Sequence, residues 1–460
     1  MEGWDADRAS AWHDHPTTVP EMKAFLGLVL LMGVVRCPRY HLHWSTMEMF
    51  YHPFFSAIMP RNRYSLLRRF LHLSDNTAPN PNNNRLHKLE SFLSLLIPKF
   101  RSLYLPKKMI SPDESMIKFK GRLGIVQYMP KKPIKWGIKA WALCESDSGY
   151  TWNWKVYTGR EEALQAVNAG DHDGPNSHPP ESSIYASGKV VLSLVEGLEG
   201  KGYWLFCDNF YTSPALFQKL NEIGFGCCGT ARSVGKGTST GANPKVHKMK
   251  KGDRPKYYKK KGQMCVVWMD KKPVTLLTTL DGPGEDVKRI RSRQGVDGHR
   301  EISRPTAIST YNKHMGGVDK ADQLIQYYLH QHRSLKWWKR IFFHLLETTL
   351  VNAHIIYKSY DHPKLDLLQF RVKVIKAFFG WPRAQHGRRG SREGPAIARL
   401  TPGAHFLKRV ESRPDCVVCS NRYIRGGRKQ TQFVCKSCDK AMCPTECFER
   451  FHTLVDYKLH

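Results

Sequence analysis

At 460 residues with 41% hydrophobic content, the chain has length for roughly two to four domains and material for a large core, which excludes a wholly disordered protein. Lysine and arginine number 72 against 40 aspartates and glutamates, a formal charge of +32 spread over the whole chain. A polyanion such as nucleic acid is the natural partner, although a membrane surface or an acidic polymer would also suit the charge alone.

No signal-peptide pattern opens the chain, and the longest apolar run, Phe25 to Val35, is shorter than the about 20 residues that cross a bilayer. A soluble intracellular protein with no membrane partner is expected. The segment TVPE makes Thr18 a cap with Glu21 three residues on, a capping box opening a helix through Val35. Helical patterns follow at Arg61 to Leu73 and Leu86 to Tyr104. From Met109 the texture is of β type, in MIKFKG, IKWGIKAWALCES and YTWNWKVYTG, parted by glycine, proline and aspartate turns. Ala169 to Pro180 reads as a surface loop.

Lys189 to Glu196 reads as helix, Gly202 to Cys207 as strand, and Ser213 to Ile223 as helix with Pro214 in its first turn. This order suits an α/β core. Lys236 to Lys261 holds ten lysines and arginines against one acid, Asp253, and the strands QMCVVWM and VTLLTTL follow, so residues 235–304 read as a basic β insertion. One long helix is expected from near Asp319 to about Tyr360, with Trp337, Trp338, Ile341, Phe342, Leu345 and Leu346 as core. Residues 383–413, rich in Arg, Gly and Pro, read as a linker.

The apolar run Gly202 to Cys207 ends at a carboxylate, Asp208. An aspartate between strand and helix is commonly an N-cap, but Ser213 is the better cap here and leaves Asp208 free at the strand end, where open α/β sheets bind ligands. Asp113 and Glu114 precede the basic KFKGR, an odd company for a solvated loop. Asp319 and Asp322, three residues apart, share a face if the helix has begun, although a helix N-terminus favours acids in any case. Separated aspartates at element ends in a basic chain suit phosphoryl transfer: Mg²⁺ takes hard oxygen ligands, and two ions about 3.5–4 Å apart can stabilise attacking and leaving oxygens.

Lys131, Lys132 and Lys135 sit beside Tyr128 and Trp136, a mixture suited to phosphate contact and base stacking, or to a strand edge guarded by lysine. The block 236–261 and Arg383, Arg388, Arg389 and Arg392 suit backbone neutralisation.

Six of the 12 cysteines lie within Cys416 to Cys447. Cys416 and Cys419, then Cys435 and Cys438, form two CxxC knuckles, followed by Cys443, Cys447 and His452, which is a zinc pattern rather than a disulfide framework. Seven ligands exceed one site and fall one short of two: either His460 completes a second site, or one Zn²⁺ is held and some cysteines are spare. So small a module should unfold without its metal. Arg425 and Arg428, in the basic RYIRGGRK between the knuckles, favour nucleic acid, with a protein-binding zinc fold as the alternative.

The segments DESMIKFKGR, MPKKPIKWGIKAWALCES, CDNFYTS and GGVDKADQ resemble the signature segments of the piggyBac transposase family, and the resemblance covers nearly the whole chain. TVPEMKAFLGLVLLMGV and LLRRFLHLSDN resemble its N-terminal helical region. The resemblance implies an α/β, RNase H-like catalytic core at residues 109–234 and 305–328, with the basic β subdomain inserted at 235–304. An α-helical dimerisation and DNA-binding domain would be split between 1–108 and 329–395. A linker, 396–413, and a C-terminal cysteine-rich zinc module, 414–460, would follow.

The family's catalytic aspartates match Asp113, Asp208 and Asp319, and a further functional aspartate matches Asp322. The resemblance implies two Mg²⁺ ions at the first three, nicking of a transposon end, hairpin formation, and excision and insertion at TTAA sites. It also implies a nuclear homodimer on double-stranded DNA, with the zinc module on the terminal repeats. The alternatives are a domesticated DNA- or chromatin-binding protein that does not cut, favoured by the short segment before the first helix where the family has a long acidic leader, and a nuclease that is not a transposase.

Overall fold

The β-type segments from Met109 onward form one mixed sheet of nine strands among the described residues. They are β1 (Met109–Lys118), β2 (Val126–Tyr128), β3 (Trp136–Glu145), β4 (Thr151–Val156), β5 (Trp204–Cys207), β6 (Gly226–Thr230), β7 (Lys256–Lys260), β8 (Gln263–Met269) and β9 (Pro273–Thr278). The order is β2-β3-β1-β5-β6-β9-β8-β7, with β4 also paired to β3. This computed structural model describes residues 16–458 apart from 76, 78, 81–83, 131, 160–183, 233–248, 252, 281, 331–333, 361–363, 381–404, 423, 425 and 455–456. Lys131, Arg425, His460, the arginines at 383, 388, 389 and 392, the loop at 169–180 and most of the basic block after residue 236 lie outside the described residues, as does most of the linker.

The helices are α1 (Val19–Val34), α2 (Pro53–Ile58), α3 (Arg61–Phe70), α4 (Glu90–Leu103), α5 (Ala186–Val195), α6 (Pro214–Glu222), α7 (Thr306–His314), α8 (Gly317–Tyr328), α9 (Trp337–Ser359), α10 (Leu367–Phe378) and α11 (Glu446–Thr453). Two hairpins lie off the main sheet, β10 (Glu285–Val296) with β11 (His299–Pro305), and β12 (Leu407–Arg409) with β13 (Phe433–Cys435). The chain divides into two units, one of Val29–Arg36 and Arg69–Ile375, the other of Met1–Leu28, Cys37–Arg68 and Lys376–His460. Among the described residues no helix is long and apolar enough to cross a membrane.

In the unit that holds the sheet, β1 runs antiparallel to β3 and parallel to β5, which is parallel to β6. A parallel pair needs a crossover, and α6 supplies it between β5 and β6. Its start is the one read from sequence: Ser213 Oγ accepts the Leu216 N–H at 3.3 Å and Pro214 occupies the first turn. Leu205, Phe206 and Cys207 are all buried because helices and strands cover both faces of β5. The mixed α/β class expected from sequence is the one found.

Three expectations change. The strands after the basic block do not stand apart: β9 pairs with β6 and β8 with β9, so residues 256–278 extend the core sheet and only the β10–β11 hairpin lies off it. The helical residues flanking the core are not separated from it at 108/109 or 328/329, because Trp338, Ile341 and Leu345 of α9 share one apolar cluster with Leu89, Ile117, Ile138, Ala140 and Val318. Each such side chain contributes about 1.5–3 kcal/mol on burial, so the aromatic stripe is core, as expected, and ties helix to sheet.

The single helix expected over 319–360 is two. It stops after Tyr328, with Leu329 in an extended conformation, and resumes at Trp337. Ser334 Oγ accepts the Lys336 N–H at 3.0 Å, a local bond that competes with helix there. Behind the break, Arg371 and Glu347 form a fully buried pair at 2.6 and 2.7 Å, and the same guanidinium donates to Leu30 O and Tyr328 O.

In the other unit, Thr18 Oγ1 accepts the Glu21 N–H at 3.3 Å, one half of the expected capping box. The Glu21 carboxylate serves elsewhere, paired with Arg63 Nε at 2.6 Å and Nη2 at 2.8 Å.

Candidate active site and paired cysteine–histidine clusters

Asp113 lies within β1, Asp208 directly after β5, and Asp319 and Asp322 in the first turns of α8. β1 and β5 are neighbours, so the first two acids belong to adjacent strands. The second glycine of GGVDKADQ lets α8 lie against β1: the Gly317 N–H donates to Ser111 Oγ at 3.0 Å, and a Cβ there would stand 2.5 Å from that oxygen and 3.1 Å from Glu145 O. Further along both elements, Ser115 Oγ donates to Asp322 Oδ1 at 2.7 Å.

Lys132, on the segment between β2 and β3, ties the acids together. Its Nζ lies 3.1 Å from Asp113 Oδ2, 3.0 Å from Glu114 O and 4.0 Å from Asp319 Oδ1, and its charge also bears on Asp208 and Asp322. The phosphate contact expected of Lys132 is therefore not its position here, since carboxylates draw the ammonium inward. Lys139, not singled out from sequence, pairs with Glu114 Oε1 at 3.1 Å. Asp208 shapes its own loop: Oδ1 accepts the Phe210 N–H at 2.9 Å, and its carbonyl accepts from Thr212.

Burial sets the electrostatics. It pushes Asp113 up to about 7, a hydrogen bond shared with Glu114 adding to the rise and Lys132 opposing it. Burial likewise raises Asp322 to about 6 against the Ser115 bond, and raises Asp208 against the Phe210 N–H. Glu114 is buried too, but its bond to Asp113 and the Lys139 ammonium overcome that and hold it below the usual range. Buried carboxylates drawn toward one ammonium favour a cation, Asp319 being the exposed member at 67%, and their hard oxygens suit Mg²⁺.

A groove of about 930 Å³ adjoins the acids, lined by Lys118, Lys120, Lys132, Lys135, Trp136, Asp319, Asp322, Gln323 and Gln326 among others. Trp136 is half exposed and its ring lies 4.8 Å from that of Tyr128, a paired apolar surface beside lysines. Lys135 and Trp136, read from sequence as suited to phosphate contact and base stacking, line the same groove as Asp319 and Asp322.

Near the C-terminus two groups of four ligands each bring their donor atoms within 4.8 Å of one another: Cys416, Cys419, Cys443 and Cys447, and His405, Cys435, Cys438 and His452. Among the described residues no other group of three or more does so, and the acids stand further apart around Lys132. The first and third cysteine pairs form one group, and the second pair with His405 and His452 on either side of the run forms the other, so the two groups interleave as a cross-brace. Burial and the Cys416 thiolate push Cys443 up to about 11, so the four thiols cannot ionise together without a cation. The His452 Nδ1 lies 2.8 Å from Phe448 O, which turns Nε2 toward Cys438 at 3.5 Å.

His405 corrects the expected ligand set. It stands just before β12, inside what read as linker, and its Nδ1 lies 3.4 Å from Cys438 Sγ and 3.6 Å from Cys435 Sγ. The odd count of seven was the available signal, and the missing eighth ligand lay upstream. Of the basic residues between the knuckles, Arg428 pairs with Asp415 at 2.9 Å, as does Arg422 at 2.5 Å, so Arg428 is not an uncommitted cation.

Comparison with known proteins bears on the family and the fold. A family model described as "Transposase IS4" matches residues 7–354, and one described as "DDE_Tnp_1-like zinc finger" matches residues 401–453. The chain is 28% identical over 446 residues to the human "PiggyBac transposable element-derived protein 3", covering 95% of this chain and 70% of that one. It is 25% identical over 414 residues to the human "PiggyBac transposable element-derived protein 2", covering 88% and 67%. The cryo-EM structure of a piggyBac transposase synaptic complex with hairpin DNA superposes with a TM-score of 0.66 at 21% identity, over 94% of this chain and 87% of that one.

Proposed function

The chain belongs to the IS4 transposase family, and on that premise we propose that it is a piggyBac-type DNA transposase that cuts and joins DNA at TTAA sites with two Mg²⁺ ions. Supporting this reading above all is Lys132, which contacts acids of two elements, Asp113 of β1 and Asp319 of α8, beside a groove lined by lysines, and whose charge also reaches Asp208 after β5. Asp113, Asp208 and Asp319 would hold the ions, and Asp322, fixed by Ser115, would shape the edge of the site. Bound there, Mg²⁺ lowers the pKa of water and offsets charge on the reacting phosphate.

The chain's own residues prepare the rest. Lys118, Lys120 and Lys135 would hold the DNA backbone along the groove, and Trp136 with Tyr128 would stack on an unpaired base near the cut. Glu114, ionised and paired with Lys139, keeps negative charge next to Asp113 and so favours a cation there, proton or metal ion alike. The paired Cys/His groups would each hold one Zn²⁺, fixing a module that binds the transposon's terminal repeats. The protein would act in the nucleus as a homodimer. A second reading, a domesticated protein that binds DNA without cutting, draws support from Lys132 standing among the acids.

The test is incubation with Mg²⁺ and a TTAA-flanked terminal repeat, alongside Asp208→Asn. Nicks and hairpins are expected from the unaltered protein and not from the variant. Binding without nicks from either would establish the second reading instead.

A further inference from the structure

We propose that Lys132 is a resident counter-ion of the acid cluster, occupying the cation's place until a divalent ion displaces it. This rests on the reading of the acids as metal ligands. The ammonium touches Asp113 Oδ2 at 3.1 Å and approaches Asp319 Oδ1 at 4.0 Å, so it engages one acid from the sheet and one from α8 at once. A divalent ion held by those two aspartates would draw on the same oxygens, and its double charge would repel an ammonium seated against them.

Three features separate this from an ordinary surface ion pair. The lysine side chain is only 23% exposed and that of Asp113 only 14%, so the pair is largely withdrawn from solvent. Its third contact is a backbone carbonyl, Glu114 O at 3.0 Å, which seats the ammonium at β1 whatever rotamer Asp319 adopts. Finally, its segment is tied at the base, with the Met129 N–H donating to Lys135 O at 2.8 Å and the Lys132 N–H to Met129 O at 3.2 Å. The backbone is anchored, while the four-carbon stem leaves the ammonium free to swing outward. The groove beside it, where Lys118, Lys120 and Lys135 gather, is the place for a displaced ammonium to meet a DNA phosphate. Metal loading and strand engagement would then be linked through one side chain: the ion's arrival frees a cation for the backbone.

The experiment uses the full chain with its zinc retained, without DNA, titrated with Mn²⁺ alone and followed by the loss of the free-ion electron paramagnetic resonance signal. Lys132→Met should bind Mn²⁺ about tenfold or more tightly than the unaltered protein, about 1.4 kcal/mol per decade. Lys132→Arg, which keeps the charge, should bind like the unaltered protein. Without metal, Lys132→Met should melt at a lower temperature, and Mn²⁺ should raise its melting point by more than it raises that of the parent. In the unaltered protein, Mn²⁺ should increase acetylation of Lys132 by acetic anhydride, read by mass spectrometry, which needs no variant to fold. Equal Mn²⁺ affinity in all three proteins, or unchanged labelling, overturns the counter-ion role while leaving the metal reading intact. If none of the three binds Mn²⁺, both fall.

Discussion

Metal-free protein should lose stability as pH rises, and Asp113→Asn should remove most of that loss. The folded carboxyl of Asp113 titrates near 7 against an ordinary value of 3.8, chiefly because burial disfavours its charge. A folded pKa above the unfolded one means the native state holds the proton more tightly, so the stability is complete below about pH 4 and is lost as pH climbs through about 7. A shift of about three units at about 1.4 kcal/mol each sets a ceiling of about 4 kcal/mol. Asp322, near 6, and Asp208, also raised, act in the same direction, whereas Glu114, held low, acts against them. A net loss of about 2–4 kcal/mol between pH 5 and pH 8 corresponds to a melting point lower by roughly 3–6 °C for a unit of this size. The assay is thermal denaturation in Mg²⁺-free buffer with zinc retained, at both pH values. Asparagine cannot ionise, so the variant should melt slightly above the parent at pH 5, where the loss has begun, and further above it at pH 8. A parent whose melting point is flat or rises over this range, or a variant equally weakened at both pH values, would refute the electrostatic argument.

Replacing His405 with Ala should lower bound zinc from two ions per chain to about one, measured by elemental analysis, because the second group would keep only three ligands. Unchanged stoichiometry would show His405 to be a bystander. Arg371→Met should cost about 3–5 kcal/mol in urea unfolding, since it leaves Glu347 buried without its partner and removes the guanidinium bonds to Tyr328 O and Leu30 O. A cost below about 1 kcal/mol would mean that Glu347 takes up a proton freely. Trp136→Ala should weaken binding of single-stranded DNA by about 1–3 kcal/mol in fluorescence anisotropy with no change in melting point, because the ring is half exposed and supports no core. A fall in melting point without loss of affinity would assign Trp136 to packing.

Local chemistry made part of this molecule legible in its sequence. Ser213 before Pro214 could be recognised as a helix start without knowing the fold, because a cap depends only on the next three residues. CxxC spacing likewise announces a metal knuckle within a few residues. What depends on distant pairing was hidden. Apolar strands at 263–269 and 273–278 looked the same whether they formed a separate unit or joined β6, since side-chain periodicity reports which face is buried and not which strand lies alongside. His405 escaped for a related reason: it stands 30 residues before Cys435, and only the pairing of β12 with β13 brings it there.

The acid cluster shows the same division at finer scale. That Asp113, Asp208 and Asp319 are chemically alike could be read directly, but Asp113 lies within β1 and not at an element end as expected, and their approach depends on β1 lying beside β5 and on Gly317 admitting α8. Lys132 was read as one of three lysines facing outward to phosphate, because a charge run on a loop is usually solvated. It lies inward because the acids raise the cost of leaving their centre without a cation by more than the ammonium loses on partial burial, and the upward shift of its own pKa against desolvation records which effect wins. The same balance explains why the ion pair need not be permanent. A divalent ion, carrying twice the charge to the same oxygens, reverses the preference, and the cluster that draws the lysine inward is the one that would release it.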